Sequence, residues 1–104
     1  MKRFEIKNFI ENVKTMDYLQ LLEFSQKEAF ELDSINITQK SPLKEHELKI
    51  NQFKKFISQF NFILINGIRP SSIDKDHLHI IKPIFENLIK KDQYSVVSLK
   101  IFDE

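Results

Sequence analysis

The chain has 104 residues, with 16 basic and 15 acidic side chains, a net charge of +1 and no Cys. A hydrophobic fraction of 41% and a charged fraction of 30% are typical of one globular domain, which we place over residues 1–104. The balanced charge argues against a nucleic-acid-binding surface, which usually needs a basic excess. The absence of Cys excludes disulfides, thiolate catalysis and Cys-ligated zinc.

The N-terminal sequence MKRFEIKNFIENVK interrupts its apolar residues with charges. It therefore lacks the unbroken apolar stretch of a secretory signal peptide. No stretch of the chain approaches the roughly 20 apolar residues of a membrane span. We expect a cytoplasmic protein, and a composition without Cys fits a reducing compartment.

Apolar residues recur at helical spacing near the N-terminus and predict a short amphipathic helix over residues 4–14. A second helix is predicted over about 17–32, where Asp17 followed three residues later by Gln20 is a variant of the capping box. Phe24 and Phe30 lie off the apolar face of this second helix. The helix therefore either packs on two sides or exposes aromatic surface.

The longest predicted helix covers residues 42–66. Ser41 and Pro42 are typical of a helix start, and Gly67 is typical of a left-handed C-terminal cap. Between these ends, apolar residues alternate at spacings of three and four and form a heptad-like stripe. The stripe consists of Leu43, His46, Ile50, Phe53, Ile57, Phe60 and Leu64.

A strand is the alternative for the end of this segment. The sequence NFILIN, residues 61–66, is a short apolar run followed by Gly, and periodicity alone does not separate such a run from a buried helix. Residues 95–102 alternate in the same ambiguous way. We predict an all-α fold, a compact bundle of four to five helices around a long central helix. The alternative is an α+β fold with strands near 61–66 and 95–102.

A last helix is predicted over roughly residues 74–91, with Pro83 inside its apolar pattern. Proline removes a backbone donor and clashes with the carbonyl one turn earlier. We therefore expect either a kink or two short helices that meet near Lys82.

Two polar segments contain candidate ligand-binding residues. In IDKDHLHI, His77 and His79 are two residues apart and point to different sides of a helix, so a polar helix start is favoured and we predict no metal site. In IRPSS, the alternative to a simple helix cap is a candidate anion site for a phosphate or carboxylate. The residues of this candidate anion site are Arg69, Ser71 and Ser72.

Recognisable catalytic patterns are missing from the sequence. There is no GxSxG motif, no Ser stands beside a recognisable base, and no Gly-rich phosphate loop is present. We therefore expect a non-enzymatic protein without a cofactor.

The aromatic composition gives the main indication of function, because the chain has ten Phe, two Tyr and no Trp. Phe24, Phe30, Phe62 and Ile65 fall outside the main apolar stripes and predict an exposed apolar surface, which usually marks an interface. The alternative is that several short helices each bury more than one face.

From this surface we expect a small regulator or inhibitor, of the immunity-protein or antitoxin type. Its expected partner is another protein, or a second copy of the chain in a homodimer. We expect no binding to a membrane. The alternative function is a nucleic-acid-associated accessory protein. That function would use the basic residues Lys54, Lys55, Arg69, Lys90 and Lys91.

Overall fold

The computed structural model describes residues 4–35, 44–67 and 73–91, and these residues form four α-helices and no strand. The helices are α1 (Ile6–Val13), α2 (Tyr18–Asp33), α3 (Lys44–Asn66) and α4 (Lys75–Lys90). The predicted all-α fold with a long central helix is confirmed, and α3, with 23 residues, is that helix.

Two helix ends have the capping interactions that the sequence predicts. At the start of α2, the Asp17 carboxylate accepts a hydrogen bond from the Gln20 backbone N–H at 2.8 Å. The Gln20 side chain in turn accepts from the Asp17 backbone N–H at 3.0 Å, which completes the capping box. After α3, Gly67 has a φ of 85° and donates its N–H to the Ile63 carbonyl at 2.9 Å.

The strand alternative is wrong for residues 61–66, because α3 continues to Asn66. Ile63 and Leu64 are both buried, and they lie on adjacent sides of one helix that packs against several neighbours. A helix buried on several sides reads in sequence as an unbroken apolar run, as a buried strand does. Residues 95–102 and the predicted helix start at Ser41 and Pro42 lie outside the described residues.

Pro83 lies within α4, which continues as one helix from Lys75 to Lys90. The expected division into two short helices near Lys82 is therefore wrong. Pro83 and His79, whose carbonyl loses its helical partner, are both exposed, so the interrupted backbone faces solvent. The opposite side of α4 buries Ile81 and Phe85, and this burial offsets the cost of the proline.

The core forms around α3, whose predicted stripe is buried over all of its described length. Its members Ile50, Phe53, Ile57, Phe60 and Leu64 are each at most 3% exposed. Phe56 and Ile63 widen the stripe, so α3 contacts neighbours on more than one side. The other helices contribute Phe9, Val13, Leu21, Leu32, Ile81, Phe85 and Leu88 to the same core.

Candidate protein interface

Helices α2 and α3 lie side by side and run in opposite directions. The Tyr18 hydroxyl near the start of α2 donates to the Leu64 carbonyl near the end of α3 at 2.8 Å. Further along α2, the Ser25 hydroxyl bonds the Asn61 side chain, and the Asn61 amide donates back to the Ser25 carbonyl at 3.4 Å. Contacts in this reversed order define the seam between two antiparallel helices.

One side of this seam is covered by α1. The Phe9 ring of α1 lies 5.4 Å from the Phe24 ring of α2, measured between ring centroids. The same ring packs edge-on against Phe53, Phe56 and Phe60 of α3, at 6.0, 5.7 and 5.0 Å. A single side chain of α1 therefore contacts both helices of the seam.

Helix α4 packs on α3 from the same general direction. Its Phe85 ring lies 5.3 Å from Phe60, and its His77 ring lies edge-on to Phe56 at 5.4 Å. Both α3 rings are fully buried. The aromatic side of α3 is therefore shared between α1 and α4.

The residues on either side of the seam contacts show that the opposite side is uncovered. An α-helix turns about 100° per residue, so the two neighbours of a seam residue point to opposite sides. Phe60 precedes Asn61 and is buried, whereas Phe62 follows Asn61 and is 42% exposed. In α2, Phe24 precedes Ser25 and packs on Phe9, whereas Gln26 follows Ser25 and is exposed.

Four large apolar side chains lie on this uncovered side. Their exposed fractions are 72% for Leu19 and 76% for Phe30 in α2, and 42% for Phe62 and 61% for Ile65 in α3. Leu19 and Phe30 are 11 residues apart, which is close to three full turns, so they lie on one side of α2. We call the surface formed by Leu19, Phe30, Phe62 and Ile65 the open face.

Three of the four predicted interface residues, Phe30, Phe62 and Ile65, therefore lie on the open face. Phe24 is on the covered side, half-buried against Phe9. Leu19 was not predicted, although its spacing of 11 residues from Phe30 was a signal that could have found it. Whether the open face binds a partner stays a prediction at this point.

A shallow depression of about 210 Å³ adjoins the open face where α3 meets the start of α4. It is lined by Ser58, Gln59, Phe62 and Ile73. Phe62 is thus both an exposed ring of the open face and one wall of the depression. A partner that covers Phe62 can place a side chain beside it.

A polar cluster joins the start of α4 to α3. The Lys55 ammonium lies 2.9 Å from the Asp74 carboxylate, and its hydrogen bond to that group lowers the pKa of Asp74. The His77 ring bonds the Gln59 side chain and lies 3.8 Å from Asp74. The IDKDHLHI segment, which was considered for metal binding, therefore contacts side chains of α3. In the described part of the chain, no three His, Asp or Glu residues are placed to hold a metal ion.

The candidate anion site, Arg69, Ser71 and Ser72, lies outside the described residues. Of the lysines considered for nucleic-acid binding, Lys55 is the one paired with Asp74.

Among the described helices, none combines the length and the apolar character that crossing a bilayer requires.

Comparison of the chain with protein-family models, with curated proteins and with solved structures finds no match.

Proposed function

We propose that the chain is a small non-enzymatic cytoplasmic protein that acts as a regulator or inhibitor by binding another protein through the open face. The observation that supports this proposal is the position of the exposed apolar side chains. Four of the five large apolar side chains that are exposed in the described residues lie on the side of the α2–α3 pair that α1 and α4 leave uncovered, and the fifth is Leu48. Exposed apolar side chains grouped on one side of a protein are typical of interaction sites.

The chemistry of the open face favours a protein partner. Aromatic rings are enriched at the centres of protein interfaces, where they become fully desolvated. Phe30 and Phe62 have no polar group on the ring, so their exposure to water is unfavourable until a partner covers them. The seam beneath them is fixed by the Tyr18 and Ser25 hydrogen bonds, so the face is presented on a preformed support.

A capture experiment with matched variants tests this function. Tagged wild-type chain is incubated with an extract of its source cells, and the retained proteins are quantified by mass spectrometry. Ile65→Ser changes the open face, and Leu48→Ser is its control, because both residues belong to α3 and both are 61% exposed. Leu48 lies 17 residues away, about 25 Å along the helix; it is on nearly the same side of α3 as Phe62, so it controls for an exposed apolar residue at the far end of the helix.

We expect a protein that is retained by wild type and by Leu48→Ser and that is lost with Ile65→Ser. A second copy of the chain would count as such a protein. Equal retention by both variants would contradict the proposal, and so would the absence of any retained protein.

A further inference from the structure

We propose that a cleft between α1, α2 and α3 binds an organic cation, an ammonium or guanidinium group on a short apolar chain. The cleft has a volume of about 270 Å³ and lies on the side of the α2–α3 pair that α1 covers, away from the open face. The proposal is therefore independent of the function proposed for the open face. Its support is the combination of aromatic rings, a buried carboxylate and hydrogen-bond acceptors around one cavity.

Aromatic rings from all three helices line the cleft. The Phe9 ring of α1 packs against Phe24 of α2 and Phe53 of α3, with centroid distances of 5.4 and 6.0 Å. The Phe4 ring, just before α1, lies 6.2 Å from Phe53. Aromatic rings attract a cation through their π electrons and also pack against an apolar chain. This lining therefore suits both parts of the proposed ligand.

A buried carboxylate gives the cleft its charge. Glu28 of α2 lines the cleft, and with 9% of its surface exposed it is the one buried charged residue among those described. It follows Phe24 by four residues, so the carboxylate and that ring share one side of α2. Burial of a charged group is costly, so a carboxylate is not expected in an aromatic lining whose only role is packing. A cation in the cleft is attracted to Glu28 more strongly than it would be in bulk water.

Helix α1 adds hydrogen-bond acceptors to the cleft. Glu5, Asn8 and Asn12 line it, and their spacings of three and four residues place them on one side of the helix. The Glu5 carboxylate does not cap α1, although Glu5 is the residue at its start. The Asn12 side chain donates its N–H to the Asn8 carbonyl at 2.8 Å, so its side-chain oxygen remains an acceptor. Such acceptors suit an ammonium or guanidinium group, because all of its N–H groups donate.

The charge of the cleft differs from that of its neighbour. The described residues that line the cleft include two acidic side chains and no basic one. An adjacent cleft of about 160 Å³ shares Phe4, Glu5 and Phe53 with it but is lined by Lys49 and not by Glu28. Of the two clefts, the one with Glu28 is therefore the one that favours a cation.

Titration of the wild-type chain with n-butylammonium, followed in two-dimensional amide NMR spectra, tests the site. We expect saturable shifts at the residues that line the cleft and their neighbours, with a dissociation constant of about 1 mM, as suits a ligand of so few atoms. The uncharged n-butanol has the same carbon chain. It should bind at least about ten times more weakly, because it lacks the attraction to Glu28 and to the rings.

Glu28→Gln removes the buried charge at nearly constant volume. Its control is Glu23→Gln, because Glu23 is an exposed carboxylate of the same helix and does not line the cleft. We expect Glu28→Gln to weaken n-butylammonium binding at least about tenfold and Glu23→Gln to leave it unchanged. Thermal unfolding of each variant checks that it remains folded.

Asn8→Lys is a second variant, at an exposed position where the substitution leaves the core intact. It places a competing cation at the cleft and should also weaken n-butylammonium binding at least about tenfold. Asn87→Lys, at an exposed position of α4, is its control and should bind as wild type does.

Two results would overturn the proposal. One is the absence of saturable shifts at the cleft in wild type, and the other is equal binding by wild type, Glu28→Gln and Asn8→Lys. A blocked peptide of Gly and Ser residues around one Lys distinguishes the two sources of such a cation. Tighter binding by the peptide than by n-butylammonium assigns the cleft to a basic side chain of another protein, and equal or weaker binding assigns it to a free amine.

Discussion

Phe9 is the residue on which the position of α1 depends. Its ring contacts Phe24 of α2 and three rings of α3, and its side chain is buried. We expect Phe9→Ala to lower the free energy of unfolding by about 3–5 kcal/mol, because it leaves a cavity among four rings. Urea unfolding measures this loss. Ile10→Ala is the control, and it should cost less because Ile10 is half-buried. A loss of under 1 kcal/mol for Phe9→Ala would contradict the described packing.

Asn61 is the residue that satisfies the buried Ser25 hydroxyl across the seam. Asn61→Ala leaves that hydroxyl with the Leu22 carbonyl of its own helix, at 3.4 Å. We expect a loss of about 1–3 kcal/mol in urea unfolding, the cost of an incompletely paired buried polar group. Asn66→Ala is the control, because the Asn66 side chain is exposed and bonds one turn back within α3. Equal effects of the two substitutions would mean that the seam bond contributes nothing.

At the scale of single helices, α4 carries an internal proline on its exposed side. Pro83→Ala restores a backbone donor and removes the clash with the preceding turn, and both changes stabilise the helix. It also makes the unfolded chain less restricted, which opposes part of this gain. We expect a net gain of about 1–2 kcal/mol in thermal unfolding. A loss of stability would show that a bend at Pro83 is needed for α4 to bury Ile81 and Phe85.

The start of α4 has a pH-dependent contact. The hydrogen bond from Lys55 lowers the pKa of Asp74 below its usual 3.8, so the carboxylate stabilises the fold above that pH. This contribution is lost as the pH falls through the lowered pKa. As the pH is lowered below about 4, we expect the stability of Asp74→Asn to fall less than that of wild type. Thermal unfolding at each pH measures this difference. Parallel curves for the two proteins would contradict the role given to Asp74.

The helices themselves could be predicted from sequence because their signals are local. The Asp17–Gln20 capping box, Gly67 and the α3 stripe each act within a few residues of the chain, and each is found in the structure. The different positions of Phe24 and Phe30 could not be predicted in this way. Both lie off the main apolar face of α2, and only the packing of Phe9 decides that one is covered and the other exposed.

For the whole molecule, the central claim is that the open face contributes to association and not to the stability of the isolated chain. A 104-residue chain with ten Phe has two ways to place them, in the core or on an interface. The structure buries most of the described Phe rings around α3 and leaves Phe30 and Phe62 exposed. The sequence pattern alone supported both outcomes, because helical periodicity identifies a second face but not whether a neighbouring helix covers it.

The most direct measurement is the free energy of unfolding of Phe30→Ser, made at a protein concentration where light scattering shows monomer. Because Phe30 is 76% exposed, the account predicts a value within about 0.5 kcal/mol of wild type. Phe24→Ser, measured alongside, should lose clearly more because its ring packs on Phe9. A loss of 2 kcal/mol or more for Phe30→Ser would contradict the claim, since the ring would then belong to the core of the monomer.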